Sequence, residues 1–143
     1  MGRKTFESLP HGALPGRTNI VITKESDYKK KDVLAARSLE IALQLAVDEK
    51  EVFIIGGEQI YKLALPITDT IYLTKVHNSF AGDSFFPEIN DDEWTLESSE
   101  FNEKNEKNSI DFSYLIYQRK PIQWGCRSEK NKERMYYHDH ETV

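Results

Sequence analysis

The stretch Val52–Leu63, VFIIGGEQIYKL, decides the fold, because a strand, a tight turn and a helix follow one another in it. The run Glu51–Ile55 predicts a strand buried on both faces, and Glu58–Leu65 predicts a helix that stops before a proline. At Gly56-Gly57, the absence of side chains lets an anion approach the unsatisfied N–H groups of the helix start. The stretch therefore indicates a phosphate site. The alternative is a simple chain connection, because three spaced glycines, the usual nucleotide fingerprint, are absent.

The residues before this stretch predict two more strands and a helix. The β-branched run Asn19–Thr23 (NIVIT) follows a Pro-Gly turn and predicts a strand, and Asp32–Ala36 predicts a weaker one. Ser38 is a favourable N-cap, because its hydroxyl can accept from an amide of the first helical turn. We therefore predict a helix that starts after Ser38 and runs through Asp48.

The residues after the stretch predict strands alone. Thr70–Val76 is one, and Trp94–Glu100 and Ser109–Gln118 form an antiparallel pair across the polar loop Asn102–Asn108. The chain thus alternates strand and helix at first and ends in a hairpin. This order predicts an α/β fold with a mixed, mostly parallel sheet flanked by helices and a C-terminal antiparallel hairpin.

The composition restricts the class of protein. The chain has 143 residues, 38% hydrophobic and 30% charged, which suits one globular domain with a core. The net charge of −5 argues against binding to nucleic acid, and no apolar run is long enough for a membrane span. The single cysteine, Cys126, excludes an internal disulfide framework, and the four histidines form no convincing ligand set. We therefore expect a cytoplasmic protein without a metal, a nucleic-acid partner or a membrane partner.

A change of pattern near Lys120 predicts a domain boundary. Residues 1–120 carry the periodic strands and helices, whereas residues 121–143 mix charged and aromatic residues without alternation. We predict one domain over 1–120. The extension over 121–143 is expected to be disordered or loosely docked.

One short cluster and one single arginine are candidates for ligand binding. Arg3, Lys4 and Thr5 follow a glycine, and two cations with a hydroxyl suit a phosphate-rich ligand. Arg17 follows a rigid Pro-Gly turn and presents a guanidinium suited to a carboxylate. The alternative for both candidates is that the charged side chains are simply solvated, as most lysines and arginines are.

Taken together, five segments resemble the dihydrofolate reductase family, in the order and at the spacings that the family uses. Each segment is weak alone, but five in order are specific. The resemblance covers residues 1–120, and the reductase half of riboflavin-pathway enzymes is the alternative within the same fold. The segments are Met1–Ser8 (MGRKTFES), Leu14–Asn19 (LPGRTN), Ile54–Tyr61 (IIGGEQIY), Ile71–Val76 (IYLTKV) and Gly82–Pro87 (GDSFFP).

The resemblance implies that NADPH is the cofactor. It places the first cationic cluster at the adenosine phosphates, and Thr23, Lys24 and the nearby Arg37 around the 2′-phosphate. It makes the double glycine a cis peptide, followed by a helix that receives the pyrophosphate and brings Tyr61 near the nicotinamide. The implied cofactor-binding residues are Arg3, Lys4, Thr5, Thr23, Lys24, Arg37, Gly56, Gly57, Glu58, Gln59, Ile60, Tyr61 and Leu63.

The resemblance also implies the substrate and the reaction. Arg17 matches the arginine that pairs with the glutamate carboxylate of folate, and Thr74 matches the threonine at the pterin end of the site. The implied reaction is the NADPH-dependent reduction of dihydrofolate to tetrahydrofolate. In it a hydride passes from nicotinamide C4 to pterin C6, and the adjacent N5 is protonated. The intact enzyme is expected to be a monomer or a homodimer.

The family's catalytic acid has no counterpart in this chain. Met1 matches a methionine well inside the family's sequence, so the first strand, the mobile loop and the acid-bearing helix are expected upstream of it. Neither Glu7 nor Glu58 matches the acid's position, so no catalytic residue is assigned. We expect the chain alone to be poorly folded, to show no significant turnover and to bind NADPH weakly. The alternative function is a non-catalytic NADPH-binding or partner-completed remnant, or a pseudogene product.

Overall fold

The computed structural model of the chain describes residues 1–121 and 139–142. None of the helices within these residues is long and apolar enough to cross a membrane. A 3₁₀ helix, Leu65–Ile67, follows directly on the third α-helix. The α-helices and strands in chain order are α1 (Arg3–Glu7), β1 (Ile20–Ile22), β2 (Leu34–Ala36), α2 (Leu39–Leu45), β3 (Val52–Ile54), α3 (Glu58–Ala64), β4 (Thr70–Val76), β5 (Trp94–Asn102), β6 (Phe112–Arg119) and β7 (Asp139–Thr142).

The strands form two sheets. β1 and β2 pair in parallel as a two-stranded sheet, and the other five follow the order β3-β7-β4-β6-β5. β7 runs parallel to both of its neighbours, whereas β6 is antiparallel to β4 and β5. The α/β fold with a mixed sheet and an antiparallel C-terminal hairpin is therefore confirmed.

The position of β7 differs from the expectation for the C-terminal extension. His140 is in register with Phe53 on one side and with Thr70 on the other, so residues 139–142 lie inside the sheet. For these four residues the structure shows a central strand in place of a disordered or loosely docked extension. Residues 122–138 and 143, which include Cys126, lie outside the described residues.

The core lies on the face of the sheet that α2 and α3 cover. Ile54 is buried there in a cluster with residues of both helices, whereas Phe53 points to the opposite face and is 48% exposed. The prediction that Glu51–Ile55 is buried on both faces is therefore wrong, because helices pack on only one side of β3 within the described residues. The buried cluster consists of Leu39, Ile54, Ile60, Tyr61 and Ala64.

The helix ends also differ from the sequence prediction. α2 ends at Leu45, three residues before the predicted end at Asp48, because the backbone N–H groups that follow donate to carbonyls three residues back and not four. Ala46 N–H donates to Leu43 O at 3.1 Å, three residues back, as in a 3₁₀ turn. Pro66 lies within the 3₁₀ helix after α3, so the helical segment extends two residues beyond the predicted end at Leu65.

Arg119 joins the C-terminal hairpin to the end of α3. Its Nε donates to Thr68 O at 2.7 Å and its Nη2 donates to Leu65 O, so the last carbonyls of this helical segment are satisfied. Its guanidinium also lies 4.4 Å from the ring centroid of Trp94, which is fully buried. These contacts fix α3, and with it the glycine turn at its start, against the large sheet.

Candidate active site

The glycine turn between β3 and α3 is held tightly against the start of the chain. Gly2 N–H donates to Gly56 O at 2.7 Å, and the Gly56-Gly57 peptide is cis, as the resemblance implies. Gly56 has φ +103°, and a Cβ there would lie 3.3 Å from the Tyr61 ring. A Cβ on Gly57 would lie 3.3 Å from Oγ1 of Thr5. Gly56 is required by its positive φ, and Gly57 leaves little room for a side chain beside Thr5, so the backbone of this turn is open to a closely bound ligand.

The start of α1 lies beside the glycine turn and the end of β1. Ile22 N–H donates to Met1 O at 2.8 Å, and Gly2 forms a parallel bridge with Ile22. Gly2 is the N-cap of α1 and has no side chain to accept from the first-turn amides. The structure therefore brings the predicted cations Arg3 and Lys4 to the same edge as the glycine turn.

The residues predicted around the 2′-phosphate also converge. β1 and β2 are parallel and end level with each other, because Ile22 pairs with Ala36. Thr23 N–H donates to Ala36 O at 2.9 Å, so Thr23 and Arg37 follow neighbouring strands at one edge of the small sheet. Lys24 and Arg37 are exposed there. Two cations and a hydroxyl thus lie at the carboxyl ends of two parallel strands, where anionic ligands bind in open α/β sheets.

The predicted residues of α3 divide into two groups. Ile60 and Tyr61 are buried in the core, whereas Leu63 is 61% exposed and lies apart from them. Tyr61 packs edge-on against Phe86, with ring centroids 5.1 Å apart, so the segment after residue 80 covers this side of the helix. We conclude that Ile60 and Tyr61 support the turn from behind and that Leu63 lies on the exposed side of α3. Gln59 is exposed.

Glu58 carries a negative charge at the helix end where an anion is expected to bind. Its Oε1 accepts from Lys62 Nζ at 2.6 Å. The Lys62 hydrogen bond, with a further one from the Phe85 backbone, lowers the pKa of the Glu58 carboxyl below its usual value. Pairing with Lys62 offsets the charge of Glu58, which would otherwise repel a phosphate at this helix start.

The two predicted substrate residues line adjacent cavities. Arg17 lines a cavity of about 660 Å³ between β1 and β3, and Thr74 lines one of about 480 Å³ along β4 and β6. Glu51 and Phe53 belong to the walls of both cavities. The two predicted residues therefore line two cavities that share part of the wall formed by β3.

Asn19 is a site-supporting residue for which sequence reasoning proposed no role. It is buried, and its Oδ1 accepts from Leu14 N–H at 2.9 Å. Its Nδ2 donates to Leu14 O at 2.8 Å and to Arg17 O at 3.0 Å. The amide therefore closes the Pro-Gly turn and fixes the backbone that presents Arg17. The available signal was a polar residue that opens a β-branched strand directly after a turn.

Comparisons with known proteins agree with this geometry. The family model for dihydrofolate reductase matches residues 1–119. The dihydrofolate reductase of Staphylococcus haemolyticus is 45% identical over 119 residues, which are 83% of this chain and 71% of that protein. The Bacillus subtilis dihydrofolate reductase is 42% identical over 120 residues, which are 84% of this chain and 71% of that protein.

A solved structure shares the fold as well as the sequence pattern. The dihydrofolate reductase from Enterococcus faecalis, in complex with NADP(H) and RAB-propyl, superposes with a TM-score of 0.75 at 37% identity. The match covers 84% of this chain and 72% of that one. The riboflavin-pathway alternative is therefore not favoured. The glycine turn, the strand order and these matches together show that the chain belongs to the dihydrofolate reductase family.

Proposed function

We propose that this protein reduces dihydrofolate to tetrahydrofolate with NADPH. The observation that carries the proposal is the glycine turn at β3, which Gly2 holds against the cationic start of α1 through a 2.7 Å hydrogen bond. In one place, this contact joins a backbone without side chains, a helix start and two cations. A dinucleotide pyrophosphate requires these features of its site.

The residues present fit the cofactor at both of its phosphate groups. Arg3, Lys4 and Thr5 would hold the adenosine phosphates next to Gly56-Gly57. Thr23, Lys24 and Arg37 would hold the 2′-phosphate at the ends of β1 and β2, since charge-assisted hydrogen bonds favour a phosphate over a hydroxyl. Ile60 and Tyr61 would support the turn from the core, and Glu58, Gln59 and Leu63 complete the proposed cofactor set.

The substrate is proposed to lie across the two adjoining cavities beside β3. Arg17 would pair with the glutamate carboxylate, on a turn that Asn19 keeps rigid. Thr74 would hydrogen-bond the pterin end from β4. When bound, NADPH supplies the hydride, and these side chains orient the pterin towards it.

The proton for pterin N5 is not assigned to any residue within 1–121. Glu7 and Glu58, the nearest acids by sequence, are paired with Arg3 and Lys62, respectively. We also propose that residues 1–120 carry the reductase domain, whose large sheet β7 joins, that the protein is cytoplasmic and that it acts as a monomer or homodimer.

The test follows the loss of reduced-nicotinamide absorbance on addition of dihydrofolate. It uses the 143-residue chain and a chimera in which the N-terminal segment of the Bacillus subtilis relative precedes Met1. We expect dihydrofolate-dependent oxidation of NADPH by the chimera, and its loss when Arg17→Leu removes the carboxylate partner. NADPH binding without any turnover in either protein would favour the non-catalytic alternative.

A further inference from the structure

Arg3 is shared between carboxylates from two different elements. Its Nη1 lies 3.1 Å from Oε2 of Glu7, one turn further along α1. Its Nε lies 3.1 Å from Oε1 of Glu25, in the loop after β1. The side chains of Arg3 and Glu25 are 35% and 55% exposed, so water can replace either partner. The guanidinium is thus held by two acceptors that a stronger anion can displace.

Glu25 lies among the groups proposed for the 2′-phosphate. Its N–H donates to Oγ1 of Thr23 at 3.2 Å, so the two residues share one turn, and Lys24 lies between them. A phosphate bound at this turn would be repelled by the Glu25 carboxylate and would compete with it for Arg3. Glu7 differs from Glu25, because it belongs to the same helix as Arg3 and pairs with it at i,i+4.

A cleft beside the pair provides room for Glu25 to move. Glu7, Glu25, Tyr28 and Lys30 are among the residues that line this space of about 530 Å³. The Glu25 carboxylate can therefore leave Arg3 without displacing packed side chains. Opening the Arg3–Glu25 ion pair therefore costs electrostatic free energy but loses no side-chain packing.

We propose that Glu25 is a positioning residue that limits the preference of this protein for NADPH over NADH, by holding Arg3 in an ion pair that the 2′-phosphate must open. The inference rests on the proposed function. Both cofactors carry the diphosphate that Arg3 would hold beside Gly56-Gly57, but only NADPH carries the 2′-phosphate that competes with Glu25 for Nε of Arg3. NADH has a hydroxyl in its place, so its binding leaves the Glu25 pair closed. The protein thus binds NADPH less tightly than its cations alone would allow.

The test compares NADPH and NADH binding to the 143-residue chain by calorimetry at low ionic strength. Glu25→Gln keeps the shape of the side chain and is expected to tighten NADPH binding about threefold, the effect of one partly exposed ion pair, with NADH unchanged. Glu103→Gln makes the same change of net charge in the loop after β5 and is expected to leave both affinities unchanged.

The role of Arg3 is tested by repeating the substitution in an Arg3→Met background. In that background the threefold gain in NADPH affinity is expected to shrink, because Arg3→Met has already removed the ion pair with Glu25. An unchanged NADPH-to-NADH ratio in Glu25→Gln, or an equal gain for both cofactors, would overturn the inference and leave the proposed function standing. Absence of NADPH binding in every protein tested would overturn this inference, whereas the turnover of the chimera decides the proposed function.

Discussion

At the scale of single residues, Gly56 tolerates a side chain poorly. Its φ of +103° disfavours any side chain, and a Cβ would lie 3.3 Å from the Tyr61 ring in the core. We expect Gly56→Ala to lower the free energy of unfolding by about 1–3 kcal/mol, as measured by urea denaturation.

Two other glycines separate the two causes of this loss. Gly12 has φ +72° with open space around it, so Gly12→Ala tests the backbone conformation alone. Gly82 has no positive φ, and its nearest contact is at 3.8 Å, so Gly82→Ala should be almost neutral. Equal losses for Gly12→Ala and Gly56→Ala would show that the contact with Tyr61 contributes nothing.

Lys62 sets the titration of Glu58. Since the Lys62 hydrogen bond is the largest cause that lowers the Glu58 pKa, Lys62→Met should raise this pKa towards its ordinary value. An NMR titration of the Glu58 carboxyl carbon measures the shift directly. A pKa that stays low in Lys62→Met would assign the effect to the Phe85 backbone hydrogen bond instead.

The same pair predicts a dependence of stability on pH. A carboxyl whose pKa is lower in the folded state stabilises the protein above its unfolded pKa, about 4.3 for glutamate. This contribution disappears as the pH falls through the lower, folded pKa. The difference in stability between wild type and Lys62→Met should therefore be present at neutral pH and vanish in stronger acid. Lys107→Met, in the exposed loop before β6, should show no such dependence.

Sequence reasoning found residues whose partners are close in the sequence and missed residues whose partners are distant in it. The glycine pair was predictable, because a strand, two glycines and a helix are consecutive in the chain. The pairing of Arg3 with Glu25 was not, because β1 and the turn of α1 bring together residues that no periodic pattern relates. Neither residue type nor local spacing indicates which of the many surface acids reaches a given arginine.

Among the helices and strands, α2 depends on its N-cap. Ser38 Oγ accepts from Ile41 N–H at 3.3 Å, so it satisfies one amide of the first turn. Ser38→Ala should lower the free energy of unfolding by about 1 kcal/mol, as measured by urea denaturation. Ser38→Asp should retain most of the stability, and the exposed Ser99→Ala should change little. A loss in Ser38→Asp as large as that in Ser38→Ala would argue against capping.

The sequence predicted the bounds of the strands better than the burial of their side chains. β4 has the bounds that were predicted, Thr70–Val76, since a run of β-branched and aromatic residues defines both ends. β3 was placed correctly, but its exposed Phe53 was not, because an apolar run does not show whether one or two layers cover it. Neighbouring layers, which are remote in sequence, decide burial.

For the whole molecule, β7 connects the two halves of the large sheet. Within the described residues, β3 and β4 each pair with β7 and not with each other. Deletion of residues 139–143 should lower the melting temperature, because each lost ladder hydrogen bond costs about 0.5–1.5 kcal/mol. Calorimetry should show no comparable change on removal of Val143 alone. An unchanged melting temperature after the larger deletion would support the sequence expectation of a loosely docked extension.

The central position of β7 in the large sheet could not be predicted from the sequence. Asp139–Thr142 consists of polar residue types, whereas central parallel strands are usually apolar. Its assignment to the sheet follows from its pairing with β3 and β4, and these contacts span more than sixty positions of the sequence. Local propensity carries no information about such pairing.

The late position of β7 in the chain also bears on protein synthesis. A ribosome makes β3 and β4 long before it reaches residue 139, so a nascent chain that has exposed only residues 1–121 has both strands without their shared neighbour. Their facing N–H and C=O groups then remain available to other strands until residues 139–142 emerge. Completion of this sheet thus waits for the synthesis of residues 139–142.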